Sequence, residues 1–440
     1  MAPQIRLTQR DPNTTPLPYT AAPLSLLWSD ICLFIRYAWV LPALLFPLRL
    51  GQTDVLDELY PSFQGVLSLI MQAFLTIYQL LFLLSLPFVI LFLTPALWML
   101  FYIAAAIIIN YTICLFVLNG FQRVLVSNVP VAEQPHHGKE RWFFINGIAS
   151  GRYWTQNTVN QLSYTFGRKI TGGWTYQADL SYFLSVGLPF DLIECLIQRD
   201  LTYATGDIRR SYVLLKEALL DPAVEKVVLI LHSQGGIEGG LVIDWLLDEL
   251  PQDLLHQLEV YTFGNAANHF NNPQCTFQGP VETNHSGCAP SVRRSIRYIE
   301  HYANSRDTVS RVGVLRFAYL PNRYLGRLFI RPGSGHLMNQ HYLDSMFTLG
   351  ADGRVLESNP FMDMEVETKP DVLLESSKKS LGNTSGHKEE TLSPIAGSVG
   401  HTQKRIVVQD VVHQVLRVKD FSRLWRYRDG RSPETQEAVW

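Results

Sequence analysis

The sequence predicts an α/β protein in which helices flank a mostly parallel sheet and a pair of apolar helices precedes it. Three observations support this prediction. Residues 59–122 contain no Asp, Glu, Lys or Arg, and a membrane span needs ~20 apolar residues. Beyond this run, short apolar strands alternate with amphipathic helices, which is the repeating unit of a parallel sheet. One of these strands, residues 227–231, leads directly into a polar turn rich in glycine.

The first 58 residues divide into a polar tail and a more apolar stretch. Residues 1–23 are rich in Pro and Thr and lack the basic-then-apolar layout of a cleaved signal peptide. The following stretch contains Asp30, Arg36 and Arg49, which disfavour a membrane span. We predict either an interfacial amphipathic helix or a core helix of the soluble domain. The interfacial helix would turn six apolar side chains toward lipid: Leu26, Leu27, Leu33, Ile35, Trp39 and Leu41.

The uncharged run of residues 59–122 is long enough for two membrane spans. Pro87 and Pro95 interrupt it, so we expect a first helix over residues 66–86 and a second over residues 96–118. Together they would form a transmembrane hairpin that makes the protein integral to a membrane. A shallow re-entrant hairpin in one leaflet, as in proteins that visit lipid droplets, is the alternative.

Two spans return the chain to its starting side, so the N-terminus and the α/β domain should share one face of the membrane. Asp54, Asp57 and Glu58 before the run and Arg123 after it determine that face only weakly. Other basic residues favour the cytoplasm: Arg6, Arg10, Arg36, Arg49, Lys139 and Arg141. We therefore expect an endomembrane protein, of the endoplasmic reticulum or lipid droplets, with its α/β domain facing the cytoplasm.

The α/β domain is expected over residues 128–357. Short apolar runs predict its strands at residues 141–145, 227–231, 258–263 and 295–302. Helical spacing of apolar residues predicts helices at residues 154–166, 191–199 and 207–220, and again from residue 237. This order is the alternation from which parallel sheets are built.

Residues 227–246 contain the residues best suited to chemistry. After the apolar strand, the sequence His-Ser-Gln-Gly-Gly at residues 232–236 predicts a sharp turn into a helix. Such a strand-to-helix turn exposes the hydroxyl of Ser233 to a base and points the backbone N–H of Gln234 at a developing oxyanion. A simple turn or helix-capping role is the alternative for Ser233.

HSQGG resembles the nucleophile elbow of α/β-hydrolases, in particular of lipases and esterases. Leu231 stands where the G-x-S-x-G form of the elbow has its first glycine, which bears on the tightness of the turn more than on the nucleophile. YTFGNAAN at residues 261–268 is similar to a segment of class 3 (fungal-type) lipases. The resemblance covers about residues 141–350 and implies a serine hydrolase that forms an acyl-enzyme.

FINGI at residues 144–148 resembles the strand end that completes the oxyanion hole of lipase-like hydrolases, with Asn146 in place of His. The resemblance implies that the backbone N–H of Ile148, or that of Ala149, lies beside the backbone N–H of Gln234. An ordinary strand-to-loop glycine at Gly147 is the alternative.

The same lipases end a strand in N-D-P-V, whose Asp orients the catalytic imidazole. Asp307, followed by Thr308 and Val309, matches part of this segment but lacks the Pro. His336 follows on a Gly-rich loop, and the order Ser233, Asp307, His336 is the order that α/β-hydrolases use. The resemblance therefore implies a Ser-His-Asp triad.

Other residues compete for two of these roles. Asp344 and Asp244 are alternative carboxylates, and His341 is the alternative base. We favour His336 because it lies on the Gly-rich loop, whereas His341 begins to resemble part of the following helix.

The composition changes after residue 357. Residues 358–404 are rich in Glu, Ser, Lys and Gly and predict a disordered linker. Residues 405–440 regain an apolar pattern, and we expect this segment to dock on the α/β domain. Its basic residues are expected near an anionic surface or on a solvated face: Arg423, Arg426, Arg428 and Arg431.

Composition also limits the classes of partner. The formal net charge of -2 and the pI near 6.6 give no reason to expect a nucleic-acid partner. The five cysteines form no C-x-x-C pair, so we expect no metal site and favour free thiols. Cys275 and Cys288 would close a loop only in an oxidising compartment. The expected chemistry needs no cofactor, and the oligomeric state stays open.

The uncharged run and the resemblance together predict a membrane-anchored serine lipase or esterase. Its substrate would be a membrane lipid or other lipid carboxylic ester, such as an acylglycerol or a phospholipid. Transacylation in place of hydrolysis is a variant of this prediction. The alternative is a catalytically inactive α/β-hydrolase-fold membrane protein that binds lipid or acts as a scaffold, and Leu231 and the missing Pro after Asp307 motivate it.

Overall fold

The computed structural model describes residues 4–8, 22–37, 39, 44–48, 54–93, 95–120, 124–131, 134, 136–172, 188–274, 294–320, 323–366 and 416–433. A sheet lies at its centre. The strands are Gln4–Thr8 (β1), Leu125–Val126 (β2), Glu140–Ile145 (β3), Ile170–Gly172 (β4), Lys226–His232 (β5), Leu258–Phe263 (β6), Tyr298–Asn304 (β7) and Gly326–Arg331 (β8). Their order across the sheet is β1-β8-β7-β6-β5-β3-β4-β2.

The sheet is mostly parallel. All neighbours from β8 to β4 pair in parallel, while β1 and β2 are antiparallel strands at the two edges. The predicted mostly parallel sheet is therefore confirmed. The two edge strands were not predicted, because β1 lies in the stretch interpreted as a polar tail and β2 is only two residues long.

Helices cover both faces of the sheet. The longer ones are Pro23–Tyr37 (α1), Phe63–Phe92 (α2), Ala96–Ile113 (α3), Arg152–Phe166 (α4), Leu188–Leu201 (α5), Gly206–Leu220 (α6) and Gly235–Glu249 (α7). Shorter helical segments are His137–Lys139, Gln252–Leu255, Thr308–Val312, Val314–Phe317, Met338–Leu343, Asp344–Met346, Val418–Phe421 and Leu424–Gly430.

The position of strand β5, covered on both faces of the sheet, explains why its sequence is apolar throughout. Val227, Leu229 and Leu231 pack in the core cluster on the α6 and α7 side, whereas Val228 and Ile230 pack on the α4 side. Successive side chains of a strand point to opposite faces. A strand covered on both faces therefore needs apolar residues at every position.

Helices α2 and α3 form the apolar pair. Helix α3 continues as a π-helical segment to Asn119, and both helices are long and apolar enough to cross a membrane. This length and composition are compatible with membrane association. They contact each other through polar groups, since Gln79 Nε2 donates to Asn110 Oδ1 (2.8 Å) and the Tyr78 hydroxyl donates to the carbonyl of Ala106 (2.9 Å).

Helix α2 is longer than the helix predicted over residues 66–86, which ended just before Pro87. It continues through Pro87 to Phe92. A proline removes one helical hydrogen bond, but apolar helices tolerate this when nearby groups satisfy the backbone.

Helix α1 packs on the α/β domain with part of its surface exposed. Asp30 forms a buried ion pair with Arg199 (2.9 Å), and Leu33 is buried beside it. The expectation that Leu33 faces lipid is therefore wrong, because one turn of the helix anchors it to the domain. Trp28 and Ile35 are exposed, at 67% and 70%.

The chain after residue 357 is more ordered at its two ends than the sequence suggested. Phe361 and Met362 are buried in the core, so the start of the expected linker is packed. Residues 416–433, which lie within the segment expected to dock, pack on the sheet. The middle of the expected linker, and the loop with Cys275 and Cys288, lie outside the described residues.

Arg423 is not solvated as the basic cluster suggested. Its guanidinium donates to Glu259 Oε1 at 3.0 and 2.8 Å, and both side chains are buried. Burial alone would raise the pKa of Glu259, but the Arg423 charge and its hydrogen bonds outweigh burial and lower it. This ion pair attaches the C-terminal segment to β6.

We predict that Arg423→Met lowers the free energy of unfolding by about 3–5 kcal/mol, because it leaves the Glu259 charge buried without its partner. The exposed Arg426→Met is the control and should change stability by less than about 0.5 kcal/mol. Denaturant unfolding followed by tryptophan fluorescence measures both. Equal losses in the two variants would contradict the assignment.

Candidate active site

The three residues predicted to act together meet at the carboxyl ends of the parallel strands. Ser233 follows β5, Asp307 follows β7 and His336 follows β8. Ser233 Oγ lies 2.8 Å from His336 Nε2, and His336 Nδ1 lies 2.9 Å from Asp307 Oδ2. All three side chains are buried. The carboxyl edge of a parallel sheet is where such folds place function.

Ser233 has the strained backbone of a sharp turn. Its φ is +57°, which non-glycine residues seldom adopt. The turn is held by the N–H of Ser233, which donates to the carbonyl of Phe263 (3.1 Å), and by the N–H of Ala266, which donates to the carbonyl of Ser233 (3.1 Å). The neighbouring strand β6 and the loop after it therefore stabilise the serine conformation.

Leu231 fits in the turn because helix α7 has a glycine opposite it. A Cβ atom on Gly239 would lie 2.4 Å from Leu231 Cδ1, whereas one on Gly240 would have its nearest neighbour at 3.7 Å. The space that the G-x-S-x-G form leaves at its first glycine is thus provided here from the helix side. Leu231 is compatible with a tight turn.

Asp307 is a fully buried carboxylate surrounded by donors. Its Oδ2 accepts from His336, from the Tyr342 hydroxyl (2.6 Å) and from the Ser310 hydroxyl (2.8 Å), and its Oδ1 accepts from the N–H of Val309 (2.9 Å). Burial alone would raise the pKa of Asp307, but the His336 charge and these side-chain hydrogen bonds outweigh burial and lower it. Asp307 is therefore ionised and faces the imidazole.

His232 supports the His336 backbone. Its Nε2 lies 2.8 Å from the carbonyl oxygen of His336, and its Nδ1 lies 3.0 Å from Asn146 Oδ1. Burial and the facing His336 lower the pKa of His232 to about 3, so its ring is neutral and has one N–H to donate. The two rings also stack, with centroids 4.7 Å apart.

Gly264 provides the space that the imidazole occupies. Its φ is +56°, and a Cβ atom there would lie 2.9 Å from the His336 ring and 3.1 Å from Asp307 Oδ2. A side chain at this position would displace the base from the carboxylate. The glycine of the sequence YTFGNAAN is thus required by the site itself.

The loop after β3 lies against Ser233. A Cβ atom on Gly147 would lie 2.4 Å from Ser233 Cβ and 3.3 Å from the backbone nitrogen of Gln234. Within the described residues, no hydrogen bond engages the N–H of Gln234 or of Ile148, and both residues line a cavity of about 100 Å³. The N–H of Ala149 donates to Asp191 Oδ2 (2.9 Å), which leaves Ile148 as the available donor of the two.

The competing residues have other partners. His341 Nδ1 accepts from the N–H of Leu337 (3.0 Å), and its Nε2 donates to the carbonyl of Pro47 (3.1 Å). Asp244 pairs with His269 at 2.9 Å, and Asp344 accepts from Gln161 at 3.5 Å. The structure thus brings none of the three to Ser233.

Several residues of the site carried no recognisable signal in the sequence. Tyr342 and Ser310, which hold Asp307, are ordinary residues at unremarkable positions, although Ser310 lies one helical turn after Asp307. Glu58 is a further case. Its two carboxylate oxygens accept from the N–H groups of Asn339 (2.8 Å) and Gln340 (3.1 Å), just beyond the His336 loop.

Within the described residues, no group of three or more His, Cys, Asp or Glu side chains is placed to hold a metal ion. Among the described residues, Cys32, Cys114 and Cys195 form no disulfide bond.

No protein-family model matches this chain, and a comparison with the curated proteins finds no match. The interpretation of the site therefore depends on its own geometry. The strongest feature of that geometry is the continuous hydrogen-bonded series from Ser233 through His336 to Asp307.

We predict that Gly239→Ala destabilises the protein by about 1–3 kcal/mol, because its new methyl group would overlap the buried Leu231 side chain. Gly240→Ala is the matched control on the same helix. It should be neutral or stabilise the protein by about 0.5–1 kcal/mol, as expected for a helical Gly→Ala change. Adding Leu231→Ala should reduce the cost at Gly239, and additive losses in the double variant would contradict the contact.

The buried carboxyl of Glu58 should make the stability of the protein depend on pH. Burial raises its pKa from 4.5 to about 7, with Asp57 adding to the rise and the two N–H groups opposing it. Because the folded pKa is raised, the stabilisation is complete below about pH 4.5 and is lost as the pH rises through about 7.

Glu58→Gln cannot ionise, so its melting temperature should lack this decline. The exposed Glu217→Gln controls for the loss of a carboxyl group elsewhere. Melting temperatures of the three proteins across pH 4.5–8 provide the measurement. Parallel curves for wild type and Glu58→Gln would show that Glu58 does not titrate in this range.

Proposed function

We propose that this protein is a membrane-anchored serine hydrolase of the lipase or esterase type, which cleaves a lipid carboxylic ester. The observation that carries the proposal is the Ser233–His336–Asp307 series at the carboxyl edge of the sheet. A serine with a positive φ at a strand-to-helix turn, hydrogen-bonded to a histidine that a buried carboxylate orients, is the arrangement that activates a hydroxyl for acyl transfer.

In the proposed reaction, Ser233 Oγ attacks the ester carbonyl while His336 Nε2 takes its proton. Asp307 accepts from His336 Nδ1–H, which keeps the correct tautomer and stabilises the imidazolium that forms. Collapse of the tetrahedral intermediate releases the alcohol, to which His336 delivers the proton. Water, deprotonated by His336, then attacks the acyl-enzyme, and His336 returns this proton to Ser233 Oγ as the carboxylic acid is released.

The backbone N–H groups of Gln234 and Ile148 are the proposed oxyanion donors. Both line the same small cavity, and Gly147 lets the loop that carries Ile148 approach the nucleophile closely. Donors of this kind stabilise the charge that develops on the carbonyl oxygen. The chain order Ser233, Asp307, His336, with each residue after a parallel strand, supports the proposal that the fold is that of a lipase-like α/β-hydrolase.

The apolar helices support a lipid substrate. Many of their large apolar side chains are exposed, among them Phe74, Ile77, Leu84, Phe88, Leu91, Trp98 and Phe101. Gln72 of α2 contacts the loop after β3 through the carbonyl of Ala149, at 3.0 Å. A catalytic centre in contact with a membrane helix is suited to ester bonds near a bilayer surface. The proposed cellular location is an endomembrane, with the α/β domain on its cytoplasmic face.

Fluorophosphonate labelling of the detergent-solubilised protein tests this proposal. We expect wild type to label and Ser233→Ala not to label. His336→Ala and Asp307→Asn should label about a thousandfold more slowly, because the nucleophile loses its base or the base loses its orientation.

His341→Ala is the matched control, because His341 binds the Pro47 carbonyl and does not contact Ser233. It should label much faster than His336→Ala once normalised for folded protein, because it keeps the base and loses only a hydrogen bond to the Leu337 N–H in the His336 loop. Loss of labelling in His341→Ala but not in His336→Ala would reassign the base. A folded wild type that does not label would favour the lipid-binding or scaffold function, and a panel of lipid esters would follow a positive result.

A further inference from the structure

The first apolar helix contacts the loop that is proposed to bind the oxyanion. Gln72 Nε2 donates to the carbonyl of Ala149, while the N–H of Ala149 donates to Asp191 Oδ2. Ala149 has a φ of +54°, a conformation that non-glycine residues seldom adopt. Its peptide groups are therefore held from both sides, directly after Ile148.

The chain just before the same helix contacts the loop of the proposed base. Glu58 accepts from the N–H groups of Asn339 and Gln340, and Asn339 Nδ2 donates to the carbonyl of Leu56 (2.6 Å). Four residues after Glu58, Ser62 caps the N-terminus of α2 through the N–H of Gly65. The His336 loop and the start of α2 are thus joined by a buried carboxylate.

We propose that the first apolar helix and the segment just before it position two loops of the site: Gln72 positions the oxyanion loop and Glu58 positions the His336 loop. This inference rests on the proposed hydrolase function. It assigns the helix and the segment before it a role beyond anchoring, because the two loops that must be aligned with Ser233 are attached to them.

The geometry explains why small movements of these loops matter. Gly147 is packed against Ser233, and Ile148 lies between Gly147 and the Ala149 carbonyl that Gln72 holds. Misplacing a catalytic group by about 1 Å can cost about a hundredfold in rate. Without Gln72, Ala149 loses one of the two hydrogen bonds that fix it next to Ile148. Without Glu58, the chain after His336 loses two hydrogen bonds.

The test uses the full-length protein in detergent and a water-soluble ester, p-nitrophenyl butyrate, whose access does not depend on a bilayer. Gln72→Leu and Glu58→Ala should lower kcat by about tenfold or more, with KM within about twofold of wild type. Glu58→Gln keeps one acceptor oxygen and should restore part of the loss. Fluorophosphonate labelling rates should be lowered in the variants whose kcat is lowered, and less in Glu58→Gln than in Glu58→Ala. Thermal unfolding measures the folded fraction to which each rate is normalised.

Two variants serve as matched controls. Ser85→Ala lies on the same helix but contacts Tyr102 of α3, and Val55→Ala lies in the same segment as Glu58 with its side chain exposed. Both should keep wild-type kcat. If Glu58→Ala does not fold, Glu58→Gln and Gln72→Leu still provide the test.

The outcomes separate this inference from the proposed function. Wild-type kcat in folded Gln72→Leu and Glu58→Gln, even at a lower melting temperature, would overturn the positioning role and leave the hydrolase proposal intact. A raised KM with unchanged kcat would also overturn it. A folded wild type that neither labels nor hydrolyses the ester would overturn the proposed function and this inference with it.

Discussion

The close approach of helix α7 to the sheet is the constraint on which the site depends. A Cβ atom on Gly235 would lie 2.3 Å from the carbonyl oxygen of Ile145, and one on Gly236 would lie 2.1 Å from Asn265 Oδ1. Only glycine fits against these atoms, so the helix can begin directly above the end of β5. Ser233 is thereby held at a positive φ, between the loops that follow β3 and β6.

The charges around His336 also constrain the site. A buried charge is tolerated only when it is paired and hydrogen-bonded, and Asp307 meets this condition through His336 and three further donors. The low pKa of His232 keeps a second positive charge away from His336. The imidazole therefore faces one fixed anion on one side and one hydroxyl on the other.

The polar residues of α2 are informative because the rest of the helix is so apolar. Polar side chains in a membrane helix are costly and usually mark contacts or function. Gln79 bonds to Asn110 of α3 and accepts from the N–H of Phe190 at the start of α5. Together with the Gln72 contact, this places the apolar pair against the α/β domain over two turns of helix. The pair and the domain form a common packing surface.

Local patterns in the sequence were sufficient to predict much of the sheet. The apolar runs at β3, β5 and β6 were recognisable because strands buried on both faces are rich in apolar residues. Strand β1 could not be predicted, because its partner β8 lies more than 300 residues away and supplies the pairing. The course of α2 through Pro87 likewise depends on its surroundings.

The sequence by itself determined which residue types were available for chemistry and their order along the chain: Ser233, Asp307 and His336. Only the tertiary structure decided which histidine faces the serine, because His336 and His341 are five residues apart and differ in what packs against them. It also decided that Leu231 is compatible with the turn, since the space comes from Gly239 on the facing helix. Contacts between distant segments, such as Glu58 with Asn339, have no local sequence pattern, because burial and pairing arise only when the chain is folded.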